Sequence, residues 1–223
     1  MQEEIVVKAP TTEALTPAQI TQKAEDLGVT KTEMSFGRSF ALSIMAGAFI
    51  AMGAMFFSLV VGDPALPFAI QRVLGGFLFC LGLILVVVAG AELFTGNTMI
   101  VMTAASKRIK WSAVWKNWIV VFFGNFLGAL VIVGLVFLSD MSAMNGGQVG
   151  QTMVSVAAGK MHADWLVLFA KGIMCNFLVC LGVWMAYASK TVADKILAVV
   201  FPITAFVACG FEHCVANMFF LPM

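Results

Sequence analysis

Four long stretches without a charged residue constrain the fold more than any other feature of this sequence. They cover residues 40–61, 73–91, 117–139 and 172–189, which are 22, 19, 23 and 18 residues long. A helix of about 17 to 25 apolar residues crosses the roughly 30 Å of hydrocarbon in a bilayer. Backbone groups that face lipid must be hydrogen-bonded within their own segment, so each stretch is predicted to be a transmembrane helix. The chain is therefore predicted to be an all-α integral membrane protein.

The composition excludes several other classes of protein. Of the 223 residues, 61% are apolar and 11% are charged, whereas soluble domains have about 25% charged residues. The net charge of +1 offers no basic face for nucleic acid. The five cysteines lie in or beside apolar runs and are predicted to be free, buried thiols. Because the sequence has neither a phosphate-binding glycine loop nor the usual metal-ligand spacing of histidines, no cofactor and no metal are predicted.

Two further apolar segments have the pattern of helices broken at membrane depth. Glu92 interrupts one of them, and Glu212 and His213 interrupt the other, which also contains a proline. Each glutamate is preceded by Gly-x and followed five residues later by an asparagine, Asn97 or Asn217. Paired interrupted helices indicate a transport site at the interface of an inverted repeat, although two short matches also arise by chance.

The predicted repeat leaves the second half one span short. Residues 214–223 reach only about 15 Å as a helix, which is half of the hydrocarbon thickness. We therefore expect the native gene product to continue past residue 223 into a sixth apolar span, which is missing from this chain.

The basic residues predict the orientation of the chain. Ten of the 13 Lys and Arg residues lie in the N-terminal segment or in loops predicted to share its side. Only Arg72, Lys160 and Lys171 lie on the opposite side. Basic residues are enriched in cytoplasmic loops, so the N-terminus is predicted to be cytoplasmic.

The chain is predicted to have two parts. Residues 1–35 form a cytoplasmic segment with a short amphipathic helix that begins at Thr16 and ends at Gly28, and residues 36–223 form a transmembrane channel domain. The helix either lies against the cytoplasmic surface or acts as a movable plug.

Glu92, Glu212 and His213 are the ionisable groups placed deepest in apolar sequence. Such groups face the protein interior or a water path rather than lipid. Glu92 has a structural alternative, because its carboxylate could cap the following half-helix. His213 could be a core histidine with its hydrogen bonds satisfied. Its position at a helix break favours a functional role, because histidine changes charge near neutral pH.

Two other polar residues are candidates with equally ordinary alternatives. Lys160, in the predicted outer segment 141–163, is either a solvated loop lysine or a residue that attracts anions. Asn176 either makes an interhelical hydrogen bond or faces the transport path. A membrane hydrolase built on Glu212 and His213 would lack a nucleophile, so the chain is predicted not to be an enzyme.

Several motifs resemble the formate–nitrite transporter family. They are Gly-Phe-Glu-His-Cys-Val-Ala-Asn-Met at 210–218, Gly-Ala-Glu-Leu-Phe-Thr-Gly at 90–96, Lys-Asn-Trp at 116–118, Phe-Gly-Asn at 123–125 and Cys-Asn at 175–176. The resemblance is greatest to the formate channels. It implies an aquaporin-like helical bundle with two broken helices and an inverted repeat, a homopentamer with one pore per protomer, and a bacterial inner membrane.

The resemblance also implies roles for individual residues. The central histidine, its neighbouring acid, the loop threonine, the pore asparagine and the vestibule lysine fall on His213, Glu212, Thr95, Asn176 and Lys160. Asn217 is a further candidate, because it follows Glu212 in the repeated pattern of the two breaks. The cytoplasmic constriction falls on Leu83, Leu93 and Phe94, and the outer constriction on Phe79, Val179 and Phe206.

The predicted function is a pH-dependent channel for formate, either as the small monovalent anion or as its acid. A bare anion loses its hydration between apolar rings, whereas the protonated acid passes them at far lower cost. Nitrite and hydrosulfide are alternatives within the family, and a membrane enzyme or scaffold is a remote one. The expected partners are the anion, membrane lipid and other copies of the chain, and no nucleic acid.

Overall fold

A computed structural model describes residues 14–223 of the chain. In chain order, its helices are α1 (Pro17–Glu33), α2 (Phe36–Val61), α3 (Phe68–Ala89), α4 (Phe94–Asn97), α5 (Ile100–Ala105), α6 (Trp111–Leu138), α7 (Gln148–Met161), α8 (Trp165–Ala188), α9 (Val192–Ala208) and α10 (Cys214–Phe220). Within the described residues, α2, α3, α6 and α8 are long and apolar enough to cross a membrane. Each coincides with one of the uncharged stretches, so the all-helical fold and its four predicted spans are confirmed.

The long helices pack side by side in the order α6, α2, α3, α9 and α8. Glycines let the backbones of α2 and α6 touch. A Cβ added at Gly47 would lie 1.9 Å from the Asn125 carbonyl oxygen, and one added at Gly128 would lie 1.9 Å from that of Ile44. Small residues permit this close approach between membrane helices, where lipid tails supply no hydrophobic drive for association.

Both predicted helix breaks are present, and the helix before each break ends with the same geometry. Gly90 follows α3 with φ +79°, and Gly210 lies just beyond α9 with φ +73°. The next amide in each case bonds back to the last helical turn, from Ala91 to the Val86 oxygen and from Phe211 to the Phe206 oxygen, both at 3.0 Å. Glycine adopts this left-handed conformation without steric cost, so the chain leaves each helix sharply. The matching geometry agrees with the predicted inverted repeat.

Helix α1 begins where predicted but extends further. Thr16 caps it in a capping box with Gln19. The predicted end at Gly28 is wrong, because the helix continues to Glu33. A Cβ at Gly28 would lie 2.0 Å from the Thr103 hydroxyl oxygen, so this glycine lets α1 lie on α5 instead of ending the helix. The first thirteen residues of the predicted 1–35 segment lie outside the described part of the chain.

The predicted outer segment 141–163 is mostly helical. Tight 3₁₀ turns at Met141–Gly147 lead into α7, which packs against α2 and α10. Lys160 therefore lies in the last turn of a helix, close to the second break, and not in an open loop. Cys80 and Cys175 are buried, Cys180 and Cys214 are partly buried and Cys209 is exposed, so the prediction that all five cysteines are buried is wrong for Cys209 and only partly right for Cys180 and Cys214.

Candidate functional site

His213 joins the two helix breaks at the centre of the bundle. Its Nδ1 accepts the backbone N–H of Ala216 at 3.1 Å and so caps α10. Its Nε2 lies 3.1 Å from the Thr95 hydroxyl oxygen on α4. Because Nδ1 acts as an acceptor, a neutral ring carries its proton on Nε2 and donates it to Thr95. The side chain is 3% exposed, so both ring nitrogens are bonded inside the protein.

Two aromatic rings pack against His213. The Phe206 ring is stacked on the imidazole with centroids 5.7 Å apart, and the Phe79 ring lies at 6.4 Å with an interplanar angle of 61°. The two phenyl rings are themselves 5.7 Å apart, edge to face. Apolar rings in contact with a polar ring leave little room for water beside it.

A cavity of about 360 Å³, here called the α7 cavity, reaches these aromatic rings from the α7 side. Its polar lining residues are Arg72, Ser155, Lys160, Lys171, Glu212, His213 and Asn217. Phe79 and Phe206 form part of its apolar wall. The cavity therefore places three cations and one carboxylate next to the apolar rings of Phe79 and Phe206.

A second cavity of about 350 Å³, here called the α1 cavity, opens at the other ends of α3 and α9. Its charged and amide lining residues are Lys23, Lys31, Lys195, Glu92 and Asn97. Leu83 and Leu93 belong to its apolar wall and are each 2% exposed. Thr95 lies between the cavities, because it bonds to His213 on one side and follows Leu93 closely in the chain. The arrangement has the geometry of a pore with two mouths and an apolar middle.

The first break carries a cluster of Lys, Glu and Asn. The Glu92 carboxylate accepts from the Lys31 ammonium at 2.6 Å and from the Asn97 amide at 2.7 Å. Lys31 also donates to the Asn97 amide oxygen at 2.9 Å. Glu92 thus pairs with a residue of α1 and does not cap the following half-helix, which was the structural alternative for it.

The second break carries the same three residue types. The Glu212 carboxylate accepts from the Lys160 ammonium at 2.5 Å and from the Asn217 amide at 3.1 Å. Lys160 is therefore ion-paired and only 16% exposed, unlike a solvated loop lysine. Within residues 14–223, the buried Asn217 amide oxygen has no hydrogen-bond partner. Asn217 is a lining residue of the α7 cavity, although this oxygen is itself buried.

Four predicted residues lie outside the lining of both cavities. They are Thr95, which lies between the cavities, and Phe94, Val179 and Asn176. Phe94 packs against aromatic rings of α6, with its centroid 5.3 Å from that of Phe122. Val179 is buried in the core. The Asn176 amide donates to the Thr98 hydroxyl at 3.0 Å, which is the interhelical bond considered as its alternative, and it lines a shallow groove on α8.

The comparisons with known proteins agree with this architecture. A family model described as formate/nitrite transporter matches residues 18–223. The chain belongs to the formate/nitrite transporter family. Formate channel FocA of Haemophilus influenzae is 41% identical over 211 residues, which are 94% of this chain and 74% of that protein. FocA of Escherichia coli K12 is 42% identical over 210 residues, again 94% and 74% of the two chains.

Two solved structures extend the comparison to three dimensions. One, described as a pentameric formate channel with formate bound, has a TM-score of 0.80 at 40% identity and covers 84% of this chain and 74% of its own. Another, an ion channel of the same family, has a TM-score of 0.82 at 29% identity, with coverages of 91% and 81%. The identities and the apolar spans together show a multi-pass membrane protein with the fold of formate/nitrite transporters.

Sequence reasoning assigned no role in the site to two residues that organise the first helix break, Lys31 and Asn125. Lys31 was counted only as a basic residue of the N-terminal segment, although it binds the first break. Asn125 donates to the Ser43 and Glu92 carbonyl oxygens at 2.7 and 2.9 Å and accepts the Phe94 amide at 2.9 Å. The available signal was an uncharged but polar residue in the middle of a predicted span.

Proposed function

We propose that this chain forms a channel for formate, passing the anion or its conjugate acid across the bacterial cytoplasmic membrane. The observation that carries the proposal is the hydrogen bond between His213 and Thr95, which lies between two cation-lined cavities. The relatives named formate channels support the choice of formate, and we propose transport without catalysis.

The two cavities would concentrate anions on either side of the apolar middle. Each contains three cations and one carboxylate, and a cleft with one predominant charge raises the local concentration of its counter-ion. The rings of Phe79 and Phe206 then oppose a bare anion, because removing its hydration is costly. A neutral acid formed in the cavity crosses the same rings at lower cost.

Thr95 and His213 would replace part of the lost hydration. Because the Thr95 oxygen accepts from His213, its own hydroxyl proton is available to a carboxylate or a carboxylic acid. Protonation of His213 would place a second proton on Nδ1 and break the hydrogen bond from the Ala216 amide. Transfer of that Nδ1 proton to a formate in the α7 cavity, which His213 lines, would give formic acid and restore the neutral ring, whose Nδ1 again accepts from Ala216.

Replacing His213 by alanine tests this mechanism. We expect formate uptake into proteoliposomes to fall by at least about tenfold and the remaining uptake to lose its pH dependence, because the central donor is removed. The matched control is His162→Ala, since His162 is exposed and lines neither cavity. Unchanged uptake and pH dependence in the His213 variant would contradict the mechanism.

The same assay identifies the physiological anion. Formate, nitrite and hydrosulfide are compared side by side in the unmodified protein, and formate is expected to give the highest uptake. If none of them is taken up above the level of empty liposomes, the channel proposal is wrong and the enzyme or scaffold alternatives are favoured.

Assembly and orientation complete the proposal. We propose a homopentamer in which each chain contributes its own pore, with the N-terminus and the α1 cavity on the cytoplasmic side. The pentameric relative of known structure and the excess of basic residues on the N-terminal side support these two points.

A further inference from the structure

The three cations of the α7 cavity are engaged in three different ways. Lys160 is paired with the Glu212 carboxylate at 2.5 Å. Arg72 donates to the backbone oxygens of Val207 and Ala208, at 2.6 and 3.0 Å. These carbonyls end α9, where the helix dipole carries about half a negative charge. Lys171 is the third cation, half-buried at the cavity wall.

The three cations of the α1 cavity show the same three kinds of environment as those of the α7 cavity. Lys31 is paired with the Glu92 carboxylate at 2.6 Å. Lys23 donates to the backbone oxygen of Tyr187, at the C-terminal end of α8, at 2.7 Å. Lys195 is the third cation, also half-buried at the wall. Desolvation lowers the pKa of Lys23, and the nearby positive charge of Lys195 lowers it further.

Lys171 and Lys195 share a feature that the other four cations lack. Within residues 14–223, no carboxylate oxygen lies within 4.0 Å of either ammonium, and neither ammonium has a hydrogen-bond partner. Asp194 is adjacent to Lys195 in the chain, but its carboxylate accepts the Thr191 amide at 2.9 Å in the cap of α9. Each cavity therefore presents one cation whose charge is neither paired nor placed at a helix C-terminus.

We propose that Lys171 and Lys195 recruit the permeating anion, one at each mouth of the pore, while Lys160 and Lys31 stabilise the helix breaks. This inference rests on the proposed function. A lysine in contact with a carboxylate forms a nearly neutral pair, which attracts a third charge weakly at a distance. An unpaired ammonium at a cavity wall keeps its full field, and its ligand does not have to displace a buried partner.

The test measures formate uptake by proteoliposomes as a function of formate concentration and of ionic strength. Lys171→Gln and Lys195→Gln are each expected to raise the half-saturating formate concentration by about two- to tenfold at low ionic strength. In about 1 M potassium gluconate the Debye length falls to about 3 Å, so the difference from the unmodified protein should disappear. Maximal uptake and its pH dependence should stay unchanged, because His213 and Thr95 are intact.

The two variants should also differ in sidedness. In vesicles of uniform orientation, Lys171→Gln should weaken uptake only for formate added on the α7 side, and Lys195→Gln only on the α1 side. Lys171→Arg and Lys195→Arg should restore the half-saturating concentration, since they keep the charge. The matched control is Lys110→Gln, because Lys110 is exposed and lines neither cavity.

The possible outcomes separate this inference from the proposed function. An unchanged half-saturating concentration in both glutamine variants, or an equal change in Lys110→Gln, would overturn the recruitment role. If the unmodified protein shows no uptake, the proposed function fails. Recruitment is then decided by titrating formate into the detergent-solubilised protein. Weaker, salt-sensitive binding in both glutamine variants supports it, and binding equal to that of the unmodified protein overturns it.

Discussion

At the scale of single residues, the contact between Thr95 and His213 connects the two halves of the chain. The residues are 118 positions apart in sequence, and each lies on a short segment next to a helix break. Both side chains are buried, at 4% and 3% exposure. A buried donor that loses its acceptor costs about 1 to 3 kcal/mol, so neither residue is easily replaced.

Thr95→Val tests the hydroxyl, because valine keeps the shape and removes the acceptor of the His213 Nε2–H bond. We expect formate uptake to fall by about five- to a hundredfold and the thermal midpoint in detergent to decrease. Thr95→Ser is the control, since it retains the hydroxyl. Equal uptake in the valine and serine variants would show that the hydroxyl takes no part in conduction.

At the scale of elements, close helix packing and the attachment of α1 hold the two breaks in place. Helices α2 and α6 touch through glycines, and Asn125 of α6 bonds to the first break. Helix α1 is tied to the bundle by the Lys31–Glu92 pair and by Arg108, which donates to Glu25 at 3.3 Å and to Asp26 at 2.6 Å. The positions of α1 and α6 therefore bear directly on the geometry of Glu92.

Gly128→Ala and Gly134→Ala form a matched pair on α6. A methyl group at Gly128 would meet the Ile44 carbonyl oxygen, whereas nothing lies within 4 Å of one at Gly134. We expect the first change to destabilise the protein by about 1 to 3 kcal/mol through forced backbone shifts. The second should be neutral or stabilising by up to about 1 kcal/mol. Thermal unfolding in detergent measures both, and equal midpoints would contradict the packing argument.

The attachment of α1 should depend on pH through Asp26. Hydrogen bonds from Arg108 and then from Gln22 lower the pKa of the Asp26 carboxyl below its ordinary value. A carboxyl with a depressed pKa in the docked state stabilises docking above its ordinary pKa. This stabilisation is lost as the pH falls through the depressed value. We therefore expect the α1 amides to be less protected from hydrogen exchange in acid, when the observed rate at each pH is compared with the intrinsic rate of an unstructured amide at the same pH.

Arg108→Gln provides the control for this prediction. Without the guanidinium, the α1 amides should be less protected at neutral pH, and their further loss of protection in acid should be smaller. An identical pH profile in the two proteins would show that Asp26 does not control the docking of α1.

At the scale of the whole molecule, the bundle leaves large apolar side chains exposed on α6 and α8. Examples are Leu135 and Phe137 on α6, at 54% and 73%, and Phe169 and Phe177 on α8, at 61% and 60%. Membrane lipid and neighbouring copies can both cover such surfaces. The proposed homopentamer would bury part of this surface in contacts between protomers.

Native mass spectrometry in a mild detergent tests the assembly. We expect a species of five chains, each of 23.9 kDa, together with bound lipid. The detergent is varied as a control, because a harsh one separates membrane subunits. Monomers or dimers in every mild detergent would contradict the homopentamer.

The sequence alone determined the membrane spans and the positions of the breaks. An uncharged run of about twenty residues is stable in a bilayer only as a transmembrane helix. The sequence therefore predicted the four spans α2, α3, α6 and α8. Gly90 and Gly210, each two residues before a glutamate, marked the ends of the broken helices, because glycine tolerates the left-handed exit. Both features depend on residues that are close together in the sequence, so they can be predicted without knowledge of the tertiary contacts.

Only the tertiary structure decided which side chains meet at the site. Lys31 and Glu92 are 61 residues apart, and Lys160 and Glu212 are 52 apart, so no local pattern pairs them. At Gly28 the local pattern was misleading. A glycine there predicted the end of the helix, whereas the helix continues and the glycine allows close contact with Thr103. Ion pairs and close packing depend on how helices cross, and the crossing is set by many weak contacts together. The spans are therefore encoded locally, whereas the chemistry of the pore exists only after the helices have packed.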